Sequence, residues 1–573
     1  MSDEEAQGAD ATPGVIAEAQ AWLAQDPDGQ TRAELRELIA AAESGDVAAI
    51  ADLTDRFDGR LAFGTAGLRG ELGAGSNRMN RVLVAQAAAG LAAYVLDHAS
   101  TETDDDAPLV VIGYDGRRNS DVFARDSAEL FAGAGLRAVL LPRLLPTPVL
   151  AFAVRHLGAA AGVMVTASHN PPNDNGYKVY LGGSDGGSQI VSPADAEIAS
   201  HIQRVADQGD VTTLPRSLAF SVAPESVVDA YVAATAAVAP APEGAEGLRW
   251  VYTAMHGVGG ETFSRVLDEA GYPAPTPVSA QIAPDGAFPT VAFPNPEEPG
   301  AMDLAFETAR ESDAEIIIAH DPDADRLAVA IPDSESAQGW RRLTGNQIGL
   351  LLGWRAAQLV AARGDADSAS LACSLVSSPG LAAVASHYGL HFHATLTGFK
   401  WISRAPNLAF GFEEALGYLV NPETVRDKDG ISAAVAMLGL VTEARGRGQT
   451  VADLLTEFDE TFGAFASDQI SLRVDDVSTI GRIMASLRAQ PPTAIGEVAV
   501  DRIDDLLDGA DGLPPGDVLR VWLEDGSRLI VRPSGTEPKL KLYLDVRGDS
   551  ADLAQERIAA LSAGARALLE QHG

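Results

Sequence analysis

One arrangement, repeated along most of the chain, limits the folds available to it. A short, wholly apolar run stops in a polar loop and is followed by a helical stretch. "PLVVIGYDGR" leads to "NSDVFARDSAELFAGAG", with Asn119 or Ser120 expected as the helix cap; "LRAVLLP" leads to "TPVLAFAVRHLG"; "AAGVMVTAS" comes next. None of these strands alternates apolar with polar residues, so both faces of the sheet must be covered. That pattern predicts a mostly parallel α/β sheet between helices. It returns in "LRWVYTAM" (248–255), helices near 260–271 and 301–311, and "EIIIAH" (315–320). A third round has the helix "GNQIGLLLGWRAAQLV", then "SLACSLV", "HFHATLTG", "LAFGFEEALGYLV" and a helix starting near Gly430. From about residue 468 the pattern changes. Strands "DQISLRV", "VLRVWLED", "SRLIVRP" and "KLKLYLDVRG" surround helices near 477–489 and 551–570, which predicts a small antiparallel α+β domain. Ahead of the first strand, residues 30–57 predict a polar helix pair, and "FGTAGLRG" (63–70) a glycine-rich turn.

The length, 573 residues, suits about four such domains. With 42 basic against 80 acidic residues the net charge is −38, which opposes nucleic acid and anionic membrane as partners, since both require a positive field. An anionic small molecule would need positive charge concentrated locally. Cys373 is the only cysteine, so no intrachain disulfide forms, and a reducing, cytoplasmic setting is expected. The start "MSDEEAQGAD" resembles no signal peptide, and the apolar stretch from Val82 to Leu96 is expected to be a packed helix rather than a membrane span. Lysine is confined to Lys178, Lys400, Lys428, Lys539 and Lys541, in "NGYK", "TGFK", "RDKDG" and "EPKLK". Codon bias explains general depletion but not this placement in motif-like segments.

Four segments carry chemistry. In "AHDPDADRLAVA", Asp321, Asp323 and Asp325 follow a strand at alternate positions. Read as extended backbone, they gather three carboxylates at a strand's carboxyl end, a crowding relieved by a hard cation. A calcium loop is excluded by Arg326 at its sixth position and Pro332 at its twelfth; a solvated acidic turn is the plain alternative. Open coordination positions beside three carboxylates suit Mg²⁺ shared with a phosphate oxygen. In "TASHNPP", Ser168 and His169 lack the G-x-S-x-G elbow of a hydrolase. A serine turn is one reading; with Lys178 and the aspartates nearby in the pattern, a phosphorylated Ser168 adding a hard oxygen to the metal is the other. "VRPSGTEPKLKLYLD" offers Arg532, Ser534, Gly535 and Thr536 as a phosphate cradle, or else a hairpin turn. "FGFEEALGYLV" places Glu413 and Glu414 side by side, suited to sugar hydroxyls but not to flanking a glycosidic bond. Arg69 and Lys428 are cations in segments expected to be flexible loops.

Taken together and in order, "GTAGLRG", "TASHNPP", "DPDADR", "TGFK", "FEEALG" and "RPSGTEP" resemble the α-D-phosphohexomutase superfamily over nearly the whole chain. The resemblance implies three mixed α/β-sheet domains and a C-terminal α+β domain around a central cleft. The expected limits are 1–220 with the phosphoserine loop, 221–335 with the metal loop, 336–462 with the sugar loop and 463–573 with the phosphate loop. It implies Ser168 as phosphoserine, and Ser168, Asp321, Asp323 and Asp325 as Mg²⁺ ligands. Arg69 and Lys178 would lie beside the transferring phosphoryl group, with Lys178 the proton-transfer partner. Arg326, Thr397, Gly398, Glu413 and Lys428 would contact the sugar phosphate. Arg532, Ser534, Gly535 and Thr536 would hold the phosphate that does not react. The implied activity is interconversion of hexose 1-phosphate and hexose 6-phosphate, glucose and also mannose, with glucose 1,6-bisphosphate or a related sugar bisphosphate as intermediate and activator. Small-molecule sugar phosphates are the expected partners, and the chain a monomer or weak homodimer. Many hexomutases have serine where Ala415 stands, and "FEEALG" is similar to the branch containing phosphopentomutases. Phosphopentomutase, sugar-bisphosphate synthase or phosphatase, and a non-catalytic sugar-phosphate sensor are the rivals.

Overall fold

The computed structural model describes residues 3–64, 67–98, 107–474, 476, 478–510, 512–534 and 539–572, with side chains from residue 13 onward. The chain divides into two compact units, Met1–Arg341 with Glu423–Val435, and Arg342–Pro422 with Ala436–Gly573.

The first unit holds two sheets. In one, strands run in the order Leu68–Glu71, Asp174–Leu181, Ala161–Val165, Leu109–Tyr114, Arg137–Leu140 and Ser221–Val222. The central strands are parallel and mostly apolar, as expected, because helices such as Arg81–Asp97, Ser120–Gly133 and Thr147–His156 cover the sheet. Two antiparallel strands, Asp174–Leu181 and Leu68–Glu71, extend one side. Helix Arg81–Asp97 is buried along most of its length, as a packed helix should be. Asn119 precedes helix Ser120–Gly133 with left-handed backbone (φ 65°) and no side-chain capping bond; the Ser120 hydroxyl turns instead to Asp115. The second sheet has the order Trp340–Arg342, Leu327–Pro332, Ile316–His320, Trp250–Thr253 and Thr276–Pro277, with Ile316–His320 and Leu327–Pro332 as an antiparallel hairpin.

The expected helix pair near 30–57 is Gly29–Glu43 and Val47–Phe57, each started by an aspartate cap, Asp28 and Asp46. A third helix, Asp3–Gln25, precedes them, unforeseen because it contains Pro13 and shows little apolar periodicity. Trp22 meets Phe57 edge to face at 6.0 Å, which ties this first helix to Val47–Phe57.

In the second unit a sheet of four strands, His391–Thr395, Ser370–Ser374, Leu408–Glu413 and Gly417–Leu419, ends in a hairpin at the paired glutamates. The C-terminal sheet of six strands is antiparallel throughout, with helices Ser478–Ala489 and Ala551–His572 packed on it through Ile483, Met484, Ile558 and Leu561. The fold is therefore three mixed α/β sheets and one α+β domain. No helix among the described residues is long and apolar enough to cross a membrane.

Candidate active site

Strand Ala161–Val165 ends at Thr166, and the chain turns at once. Ser168 adopts left-handed backbone (φ 51°), a strained state for a residue with a side chain. Its N–H donates to Thr166 Oγ1 at 2.8 Å, and its hydroxyl donates to Asp321 Oδ2 at 2.7 Å. The residue is 1% exposed. His169 Nδ1 stands 3.4 Å from the Ser168 hydroxyl; burial first, then the cations Arg326 and Arg69, hold its imidazole well below the ordinary range.

Asp321, Asp323 and Asp325 do converge, but by a different route from the one expected. The segment is a turn rather than an extended strand, with Ala324 left-handed at φ 54°. Reversal of the chain brings ligand oxygens of all three within 4.8 Å of one another. Each side chain is fully buried, which excludes the solvated acidic turn. Burial and the neighbouring carboxylates push Asp321 far up, whereas Lys178 pulls Asp323 down against the cost of its burial.

Lys178 lies on the antiparallel strand Asp174–Leu181, and its Nζ reaches Asp323 Oδ2 and Asp325 Oδ2, each at 2.7 Å. Thr147 Oγ1 donates to Asp323 Oδ2 at 2.6 Å. The other oxygens, Asp323 Oδ1 and Asp325 Oδ1, are buried and receive no hydrogen bond. An all-oxygen donor set with lone pairs left unfilled in a dry pocket fits a hard divalent cation.

Arg69 and Lys428 are not flexible surface charges. Arg69 sits on strand Leu68–Glu71 and donates to Asn170 Oδ1 at 3.2 Å. Lys428 is 7% exposed, with Nζ 3.3 Å from Asp325 Oδ2. Its neighbours are anchored: Asp427 accepts from Tyr180 at 2.8 Å, and Asp429 from Tyr231 at 3.0 Å. Arg326 also faces the carboxylates, with Nε 3.9 Å from Asp321 Oδ2 and 3.8 Å from Asp325 Oδ1.

The second unit groups other expected residues. Thr397, Arg532 and Ser534 line a cavity of about 300 Å³ together with Trp401 and Leu396. Gly398, at φ 108°, and Glu413 are not among its lining residues. Glu413 ends strand Leu408–Glu413 and is half-buried. Glu414 is held in place: Ser374 and Ser377 hydroxyls donate to its Oε2, both at 3.1 Å, and its own N–H donates to Ser377 Oγ. Arg528, paired with Asp545 at 2.7 Å, donates to the Ser377 carbonyl. Gly535 and Thr536 lie outside the described residues. Sequence reading missed Arg117, Thr147, Asp427 and Asp429. "GYDGR" at a strand end was a signal for Arg117; for Thr147 nothing local was.

Four family models match in order: phosphoglucomutase/phosphomannomutase alpha/beta/alpha domain I at residues 60–208, domain II at 229–334, domain III at 344–462, and the C-terminal domain at 473–561. A probable phosphomannomutase of Haemophilus influenzae is 54% identical over 493 residues, covering 86% of this chain and 98% of that one. The phosphopentomutase of Homo sapiens is 33% identical over 566 residues, covering 92% and 90%. In fold, the crystal structure of a putative phosphomannomutase from Thermus thermophilus superposes with a TM-score of 0.66 at 23% identity, over 89% of this chain and 99% of that one. With all four domains present in sequence order, the chain belongs to the phosphoglucomutase/phosphomannomutase family of the α-D-phosphohexomutase superfamily and is an enzyme of the phosphohexose mutase class.

Proposed function

We propose that this enzyme interconverts hexose 1-phosphate and hexose 6-phosphate, for glucose and also mannose, through a phosphoserine at Ser168 and a bisphosphorylated sugar. The observation that carries this reading is the Ser168 hydroxyl itself, fixed in a left-handed turn 2.7 Å from Asp321 within a buried carboxylate trio. A purely binding protein has no use for a nucleophile held at such conformational cost.

In each half-reaction one P–O bond to Ser168 Oγ and one to a sugar oxygen exchange. As the phosphoryl group passes to the sugar, the bond from phosphorus to Ser168 Oγ breaks, the attacking sugar hydroxyl gives up its proton and Ser168 Oγ takes one up; in the reverse direction the Ser168 hydroxyl gives up its proton and the departing sugar oxygen regains one. Lys178 is the proposed partner for that proton; its ion pairs with Asp323 and Asp325 favour the ammonium, the form that donates to a departing oxygen, and it must give that proton up before it can accept one. Ser168, Asp321, Asp323 and Asp325 would hold Mg²⁺, which when bound offsets the charge on the transferring group. Arg69 contributes a fixed positive charge beside the serine loop. Arg326, Thr397, Gly398, Glu413 and Lys428 are proposed sugar-phosphate contacts. Arg532, Ser534, Gly535 and Thr536 are proposed for the phosphate that does not react. The divisions 1–220, 221–335, 336–462 and 463–573 then supply nucleophile, metal, sugar and distal-phosphate groups in turn.

The name of the Haemophilus influenzae relative supports a hexose. A pentose phosphate is the second reading, supported by Ala415 and by the name of the human relative. The test is kcat/KM for glucose 1-phosphate, mannose 1-phosphate and ribose 1-phosphate on one preparation, with intact mass reporting phosphate on Ser168. A hexose phosphate is expected to lead. If ribose 1-phosphate leads by more than about tenfold, roughly 1.4 kcal/mol, the pentose reading replaces the first.

A further inference from the structure

Arg117 has no part in the chemistry described so far, yet it is tied more closely to the serine loop than any residue that does. Strands Leu109–Tyr114 and Ala161–Val165 are parallel neighbours, registered so that Tyr114 pairs with Val165. Arg117 and Ser168 each lie three residues beyond that pair, so the two loops leave the sheet side by side. Arg117 is 3% exposed, and its guanidinium spends its donors on backbone carbonyls of the serine loop. Nη2 donates to Ser168 O at 2.6 Å and Asn170 O at 2.5 Å; Nη1 donates to Pro171 O at 2.8 Å and Asp174 O at 3.1 Å. From behind, Asp115 Oδ1 accepts the Arg117 N–H at 3.0 Å, and Asp115 Oδ2 lies 3.7 Å from Nε. The Phe288 ring lies under the guanidinium carbon at 5.0 Å.

We infer that Arg117 is the positioning residue of the phosphoryl-carrying loop: one planar fork gathers four carbonyls and so holds Ser168 left-handed, with its hydroxyl at Asp321. The inference rests on Ser168 being the phosphoryl carrier. A left-handed serine is unfavourable alone and persists only where its surroundings over-determine it. With the carbonyls of Ser168 and Asn170 drawn to a single nitrogen, the backbone on both sides of the Ser168–His169 peptide is fixed. Lysine, a single ammonium on a flexible stem, cannot span four acceptors in one plane.

The experiment compares wild type, Arg117→Lys and Arg117→Ala, measuring kcat and KM for glucose 1-phosphate, the rate at which glucose 1,6-bisphosphate loads phosphate onto Ser168 by intact mass, and the thermal midpoint. Both variants are expected to lose about a hundredfold in kcat and in loading rate, the cost of an ångström-scale misplacement of a reacting group, with KM little changed. Millimolar guanidinium or methylguanidinium is expected to restore part of the Arg117→Ala activity. The inference is overturned if Arg117→Lys keeps wild-type kcat, if KM rises in step with the loss, or if both variants fail to fold, since the residue is then structural. Should wild type carry no phosphate and Ser168→Ala stay active, it is the phosphoserine reading that has failed, whatever Arg117 does.

Discussion

The serine–carboxylate region and the Arg532 cavity are built on opposite plans. Around Ser168 the polar groups are buried and already engaged: Lys178 with Asp323 and Asp325, Thr147 with Asp323, Ser168 with Asp321, and Arg117 with the carbonyls of the serine loop. Around Arg532 there is a cavity of about 300 Å³ walled by apolar side chains with a few polar groups. A reacting centre gains from groups fixed in advance, because charge develops there and reorganisation is costly. A binding pocket gains from space, because one ligand must enter, be held and leave. Substitutions in the first region are therefore expected to act on turnover and those in the second on binding.

The sharpest attempt to break that contrast is Ser168→Ala. Interconversion is expected to fall at least about 10³-fold, a floor below the roughly 10⁶-fold that removal of a serine nucleophile can cost. Phosphate on the protein should vanish, and the unfolding midpoint should stay within about 4 °C of wild type. A variant with full mutase activity would show the dense region to be mere scaffolding. Next comes Asp323→Asn, which converts a carboxylate that accepts from Lys178 and Thr147 into an amide. The Mg²⁺ concentration needed for half activity is expected to rise more than tenfold, and kcat to fall about 100-fold, the upper end of the roughly 10- to 100-fold lost at residues that only support metal ligands. Undiminished activity after exhaustive chelation would remove the metal from the scheme.

Arg532→Ala carries the comparison to the other region. Loss of a charge-assisted contact costs about 1.5–3 kcal/mol, which is roughly 10- to 150-fold, and should appear in KM with kcat nearly intact. A collapse of kcat at unchanged KM would erase the distinction between the regions. Smallest is Ala415→Ser, beside the glutamates. One added hydrogen bond is worth about 0.5–1.5 kcal/mol, so hexose over ribose 1-phosphate selectivity should improve by roughly 2- to 13-fold. Equal gains for both sugars would mean that this position does not discriminate.

Much of this was legible in the sequence, and unevenly so. Apolar runs such as "EIIIAH" name their strands because burial on both faces leaves no freedom of composition. Ser168 and the three aspartates stood out because residues of their kinds end such strands together. The turn that gathers the aspartates did not: Ala324 has no glycine-like signature, yet its backbone is left-handed and the residue is fully buried. Arg117 was hidden for another reason. Its importance depends on which strand lies beside Ala161–Val165, and strand order is a property of the sheet, not of any one segment. The segment of Lys428 was expected to be a flexible loop because "RDKDG" is polar, yet Tyr180 and Tyr231 draw the aspartates on either side of it inward.

The segment Glu423–Val435 has a consequence for how the protein is made. It belongs to the first unit, although residues 342–422, which precede it, belong to the second. A ribosome adding about 5–20 residues per second completes Arg341 several seconds before this segment is synthesised. During that interval Tyr180, Tyr231 and Asp325 have been translated but lack Asp427, Asp429 and Lys428. The nascent first unit thus waits, with buried polar positions unfilled, for a strip of chain not yet made. Arrested chains ending before residue 423 should be open to protease, and those long enough to expose Val435 should close.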